Sequence, residues 1–206
     1  MMKVALTFDN SIGEMTGDVL ALLTKYQAKA TFFCPAGRAQ DNPYLMKQVL
    51  ADKHVIAGNY YDYCDSTELE FSEFIQQVIK SIRVLEQLIH QQINYYRPPF
   101  GRLTLEQQAF LNDSGFDTVY CNLDANNPNT TRNRVENMVG NIMTNVRDNS
   151  VILCRDVGDS NLTLRALRIV IPMLKQCGYQ FVSIDKINLK AANQSEGWAQ
   201  QLIEEM

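Results

Sequence analysis

Apolar positions along this chain follow two alternating rhythms. Short runs of apolar and β-branched residues at 3–8, 29–34, 54–57, 93–96, 116–122, 151–154 and 179–184 read as buried strands. Between them, apolar residues recur every three or four positions, the spacing of a helix with one buried face. This predicts helices over 17–26, 43–50, 72–91, 104–111, 131–146 and 161–176. The longest carries Phe74, Ile75, Val78, Ile82, Leu85 and Ile89 as its stripe. Breakers punctuate the pattern where they should. Pro35 and the pair Pro98-Pro99 stop strands because proline has no N–H to give to a ladder. Gly58 and Gly115 close other segments, and Pro172 disfavours the last turn of the helix predicted over 161–176. The tail, 191–205, reads as a polar helix anchored by Trp198, Leu202 and Ile203.

Strands alternating with helices imply a parallel sheet with right-handed crossovers, either open and doubly wound or rolled into a barrel. In both architectures ligands meet the C-terminal ends of the strands. Asp9, Arg97, Asp124 and Arg155 all fall at such ends. Arg97 is followed by rigid backbone and then by Gly101, which permits a sharp turn. Four charged residues arriving at one end of a sheet point to a pocket.

Composition narrows the class. With 206 residues, 46% hydrophobic and 20% charged, the chain can bury one sizeable core. Nineteen basic against 23 acidic residues give a net charge of -4, which argues against nucleic acid as a partner. No apolar run approaches membrane-spanning length, so no membrane partner is expected. Five cysteines without CxxC spacing fit neither a disulfide framework nor a zinc ribbon. The chain opens directly on a strand pattern, without a charged segment leading into an apolar one, so the expected location is cytoplasmic.

Several motifs, in order, give the chain a resemblance. Thr7-Phe8-Asp9-Asn10, Lys29-Ala30-Thr31-Phe32-Phe33, Arg97-Pro98-Pro99-Phe100-Gly101 and Cys177-Gly178-Tyr179-Gln180-Phe181-Val182 are similar to motifs of the polysaccharide deacetylases of the NodB-homology type. The resemblance covers roughly residues 3–189 and implies an irregular (β/α) barrel of about seven parallel strands, with 190–206 as a helical tail. It implies removal of N-acetyl groups from sugars by a divalent metal, usually zinc, bound by one Asp and two His. A second Asp is the base and a late His the acid. The metal would lower the pKa of its water and polarise the amide carbonyl.

Carried over residue by residue, the resemblance keeps the scaffold and loses the chemistry. Asp9 falls on the base. Asn10 replaces the metal-binding Asp. The two histidines become Asn59 and Tyr63, or Tyr60 and Cys64 if one residue is skipped. Arg155 replaces the acidic His, and arginine does not give up its proton in proteins. His54 lies just outside the metal set, and His90 lies on the long helix. Counterparts of Arg97 and Asp124 orient the base and pair with the acid. The expectation is therefore a deacetylase-like protein without metal or other cofactor. It would bind a saccharide, an anionic small molecule or a protein partner at the old active-site pocket. Tyr60, Tyr63, Phe100, Asn122 and Asn127 would line that pocket, with Asn126 and Asn129 near them. Two alternatives stay open. The four charged residues form a structural ion-pair cluster without a ligand, or an altered hydrolase of N-acetylated sugars holds zinc through Asp9 with Asp62 or Cys64.

Overall fold

β1 (Met2–Asp9) is the axis of the molecule, and every residue from Val4 to Asp9 is buried. A strand covered on both faces is what a parallel sheet inside an α/β protein requires. The computed structural model describes residues 1–126, 134–158 and 160–194. After β1 come α1 (Thr16–Lys25), β2 (Ala30–Cys34), α2 (Ala36–Asp41), α3 (Pro43–Ala51) and β3 (Val55–Gly58). Then follow α4 (Phe71–Ile89), β4 (Tyr95–Tyr96), α5 (Leu105–Asp113), β5 (Asp117–Thr118) and β6 (Leu123–Asp124). α6 (Val135–Asn145), β7 (Ser150–Arg155), α7 (Ser160–Gln176), β8 (Tyr179–Phe181) and α8 (Leu189–Gln194) complete the order.

The strands pair in parallel in the order β5-β4-β3-β2-β1-β7-β6, and β8 pairs with the first residues of β1. This path of seven strands curls into a half-barrel, the fold class expected from the sequence. Period-two alternation divides each strand between two cores. Val4, Leu6 and Phe8 of β1 join Ala30, Phe32, Ile152 and Cys154 in the larger core beneath the helices. Ala5 joins Phe33, Ala57, Val119 and Val151 in a smaller core inside the barrel.

One predicted strand is corrected. Residues 116–122 are not a single strand: β5 pairs with β4 at one edge of the sheet, and β6 pairs with β7 at the other. The residues between them span the gap. The Val119 N–H donates to Tyr96 O on one side, and the Asn122 N–H donates to Val151 O on the other. The apolar run reads as a strand, yet its two ends bond to opposite edges and its middle bridges them. A helix, α2, was missed. It is six residues long and buries only Ala36 and Ala39, too little to leave a stripe. Pro172 is accommodated within α7. Thr104 caps α5 through a reciprocal pair with Gln107, satisfying two of the donors a helix start leaves open. The tail helix expected over 191–205 begins earlier, at Leu189, and Trp198, Leu202 and Ile203 lie outside the described residues.

Gly58, at the end of β3, is required by close approach. A Cβ there would lie 2.8 Å from Ile82 of α4 and 2.9 Å from the Tyr96 ring. His54, just before β3, is buried against Phe32, and its Nδ1 accepts the Ala30 N–H at 3.2 Å. Burial, helped by Lys29 and opposed by Asp52, lowers its pKa from 6.5 to about 4. The unfolded chain takes up this proton below about pH 6.5 and the folded chain only near pH 4, so stability is full above 6.5 and falls as pH drops between these values. Urea unfolding from pH 7 to 4 should show the wild type losing up to about 3 kcal/mol relative to His54→Gln.

Candidate functional site

Strand parity assembles the site. Thr7 and Asp9 share the barrel-facing side of β1 with Ala5, and the parallel register sets Asp9 opposite Arg155 and Thr7 opposite Leu153 of β7. Three strands then end in left-handed backbone: Asn10 after β1 (φ 54°), Tyr60 after β3 (φ 72°) and Phe100 after β4 (φ 58°). That region is disfavoured for residues with a Cβ and is tolerated best by asparagine. These turns throw the loops outward and leave the strand ends open.

Arg97 occupies the floor. Its Nη1 donates to Asp9 Oδ1 at 2.7 Å and to Thr7 Oγ1 at 2.8 Å, and its Nε donates to Val119 O at 3.0 Å. The guanidinium carbon lies 4.1 Å from the centre of the Phe33 ring, a stacked cation–π contact. Both partners of the ion pair are buried, with side-chain exposures of 3% for Arg97 and 5% for Asp9. Arg97 Nη2 is buried without a hydrogen-bond partner among the described residues. Burial raises the Asp9 carboxyl above its ordinary value, while Arg97 and Arg155 hold it back.

Arg155 sits higher. Its Nη1 is 3.9 Å from Asp124 Oδ1, too far for a hydrogen bond, and its side chain is 39% exposed. Asp124 Oδ1 instead accepts the Asn126 N–H at 2.9 Å. A cavity of about 300 Å³ opens over these groups, lined by Asp9, Arg97, Arg155, Tyr63 and Phe100 among others. The Tyr63 and Phe100 rings pack 4.9 Å apart, and burial with the nearby Asp9 charge raises the Tyr63 phenol.

The structure places other expected wall residues elsewhere. Tyr60 is in the core against Phe74, where its hydroxyl is buried. Tyr60 has a φ of 72°, and its ring belongs to the larger core beneath the helices. Asn122 is used in the bridge between the sheet edges, where its Oδ1 accepts the Val151 N–H and its Nδ2 donates to Ala192 O. Asn127 and Asn129 lie outside the described residues. Arg102, Tyr120, Cys121 and Leu153 line the cavity and were not anticipated. Leu153 was within reach, since it is two positions before Arg155 on the same strand. Arg102 follows the Pro-Pro-Phe-Gly turn directly and is held by Asp65 at 3.1 Å.

The loop after β1 is fixed from below. Asp156, buried next to Arg155, accepts from Ser11 Oγ at 2.6 Å and from Thr16 Oγ1. Its backbone oxygen would lie 2.6 Å from a Cβ at residue 13, so only glycine fits there. The side chains at the positions that the resemblance assigns to a metal are engaged in other contacts. Asn10 Oδ1 accepts from Arg38 Nε at 2.9 Å. Asn59 Oδ1 accepts the Asn10 N–H at 3.1 Å, and Asn59 Nδ2 donates to Arg97 O at 2.9 Å, so this amide is a strut between loops. Burial and neighbouring acidic groups raise the Cys64 thiol away from the thiolate a metal needs. Among the described residues, no three His, Cys, Asp or Glu side chains gather as a metal would require.

The family model for polysaccharide deacetylase matches residues 2–119, more than half of the chain, and the chain belongs to that family. It is 28% identical over 186 residues to a peptidoglycan-N-acetylglucosamine deacetylase of Bacillus cereus, covering 89% of this chain and 87% of that protein. It is 25% identical over 200 residues to a chitooligosaccharide deacetylase of Bradyrhizobium, covering 90% of each. The crystal structure of a peptidoglycan N-acetylglucosamine deacetylase in complex with 4-naphthalen-1-yl-N-oxidanyl-benzamide superposes with a TM-score of 0.84 at 27% identity, covering 90% of this chain and 87% of that one. A CE4 family pseudoenzyme from Bacillus anthracis shares the fold, with a TM-score of 0.81 at 22% identity over 90% of this chain and 65% of that one.

Truncating Arg97 leaves Asp9 buried without its counter-charge and the Val119 carbonyl without its donor. Arg97→Ala should cost about 3–5 kcal/mol in guanidinium unfolding. Arg97→Lys should recover only part of this, because one ammonium cannot span Asp9, Thr7 and Val119 together.

Proposed function

We propose that this chain is a saccharide-binding member of its family that does not perform metal-dependent deacetylation. One observation carries the reading: the positions of the family's metal ligands are occupied by side chains already spent on structure, above all the Asn59 amide that ties Asn10 to Arg97. Arg155 stands where the resemblance places the acid, and a guanidinium has no proton to deliver to a leaving amine at neutral pH. What remains suits binding. Asp9 offers a buried acceptor to a sugar hydroxyl, and Tyr63 and Phe100 present aromatic surface to the apolar face of a pyranose ring. The pocket volume lies at the lower end of the roughly 300–1,000 Å³ usual for small-molecule sites, enough for a short segment of a linear glycan. The relatives named above act on peptidoglycan N-acetylglucosamine or on chitooligosaccharides, so N-acetylated hexosamine chains are the first ligands to try.

The test pairs metal content with turnover. After exposure to zinc at neutral pH and exhaustive dialysis, the protein should retain no stoichiometric zinc. It should release no acetate from N-acetylchitooligosaccharides, while those sugars shift its amide resonances. Stoichiometric zinc that is lost in Asp9→Ala, together with acetate release, would overturn the proposal in favour of a hydrolase with an altered site.

A further inference from the structure

The cavity does not carry its charges evenly. Among the described residues lining it, three are arginines and one, Asp9, is acidic. Two of the three are compensated: Arg97 by Asp9 at 2.7 Å, and Arg102 by Asp65 at 3.1 Å. Arg155 is not held in this way. Asp124 lies 3.9 Å from it and spends the same oxygen on the Asn126 N–H. Below it, the buried Nη2 of Arg97 is a donor without a partner among the described residues, on a side chain that lines the same cavity. A buried guanidinium N–H left unpaired is costly, and a ligand acceptor would relieve it.

We infer that the saccharide taken by this pocket carries a carboxylate, as a uronic acid does, gripped by Arg155 at the mouth, above the electropositive floor that Arg97 makes. The inference rests on the saccharide-binding reading above and adds the charge class of the ligand. A planar carboxylate matches the fork of a guanidinium and forms charge-assisted hydrogen bonds with it. A single negative charge fits the balance, because one arginine is left loosely compensated. A phosphate dianion would bring a second charge next to the buried Asp9, with no further uncompensated cation to meet it among the described residues that line the cavity. Ring and carboxylate are served by different parts of the cavity, the aromatic pair and the guanidiniums.

The experiment is calorimetric titration of the full chain with three tetrasaccharides. One is a hyaluronan tetrasaccharide, in which N-acetylglucosamine alternates with glucuronate. The second is its methyl ester, which has the same shape without the charge, and the third is neutral N-acetylchitotetraose. The acid should bind about ten-fold more tightly than its ester. That ratio should shrink as salt is raised, because Arg155 is partly exposed. Arg155→Ala should bring the ratio close to unity, and Arg155→Lys should keep part of it, as a charge without the fork. Far-ultraviolet circular dichroism establishes that each variant is folded. If Arg155→Ala does not fold, the acid-to-ester ratio of the wild type and of Arg155→Lys decides. Equal binding of acid and ester overturns the inference and leaves saccharide binding standing, whereas no binding of any of the three overturns both.

Discussion

The buried guanidinium of Arg97 is the constraint around which the barrel end is arranged. It touches β1 through Asp9 and Thr7, β2 through the Phe33 ring, and the bridge between the sheet edges through Val119 O. Its own carbonyl accepts from Asn59, and its N–H donates to Gly58 O. A charge taken out of water is tolerated only where its hydrogen bonds are satisfied and a counter-ion is close. Meeting most of that condition, with Nη2 left unpaired among the described residues, brings β1, β2, β3 and the bridge to one point. The prolines after Arg97 then end β4 and turn the chain outward, giving the pocket its rim.

The same economy governs the side chains around the cavity. A metal site needs deprotonated ligands free to turn toward a shared centre. Here the corresponding side chains face one another instead, as amide to backbone and guanidinium to carboxylate. Arg155 supplies fixed positive charge at the cavity mouth, and Asp156 beside it is a buried acceptor for Ser11 and Thr16. Burial pushes the Asp156 carboxyl above its ordinary value while the two hydroxyls restrain it. The result is a pre-organised polar surface around the cavity.

Much of this could be read from the chain alone, and what could not has a physical cause. Continuous apolar runs at 3–8 and 151–154 identified the strands, and Asp9, Arg97 and Arg155 followed as strand-end residues that meet in one cavity. Tyr63 and Phe100 were legible as aromatics on loops at the same end. The bridge at 119–122 was hidden because an apolar segment paired to two different edges has the composition of one paired to a single edge. Tyr60 was hidden because the side its ring takes depends on a positive φ, and a tyrosine gives no hint of that conformation. Asn122 misled for a related reason. An asparagine that imitates backbone pairing with Val151 looks the same in sequence as one that faces a sugar.

Strand parity has a consequence for how such a site can change over generations. Asp9, Leu153 and Arg155 line the cavity, with Thr7 on the same side below Asp9, because each is two residues from the next along its strand and the strands are held in one register. Replacing any of them alters the chemistry and leaves the geometry in place. Inserting or deleting a single residue within β1 or β7 would instead turn the whole set toward the helices and bring Phe8 and Cys154 into the pocket. Substitution is therefore the open route for evolution here and length change the closed one. A lineage can lose an acid and a metal position by position while the barrel around them stays recognisable.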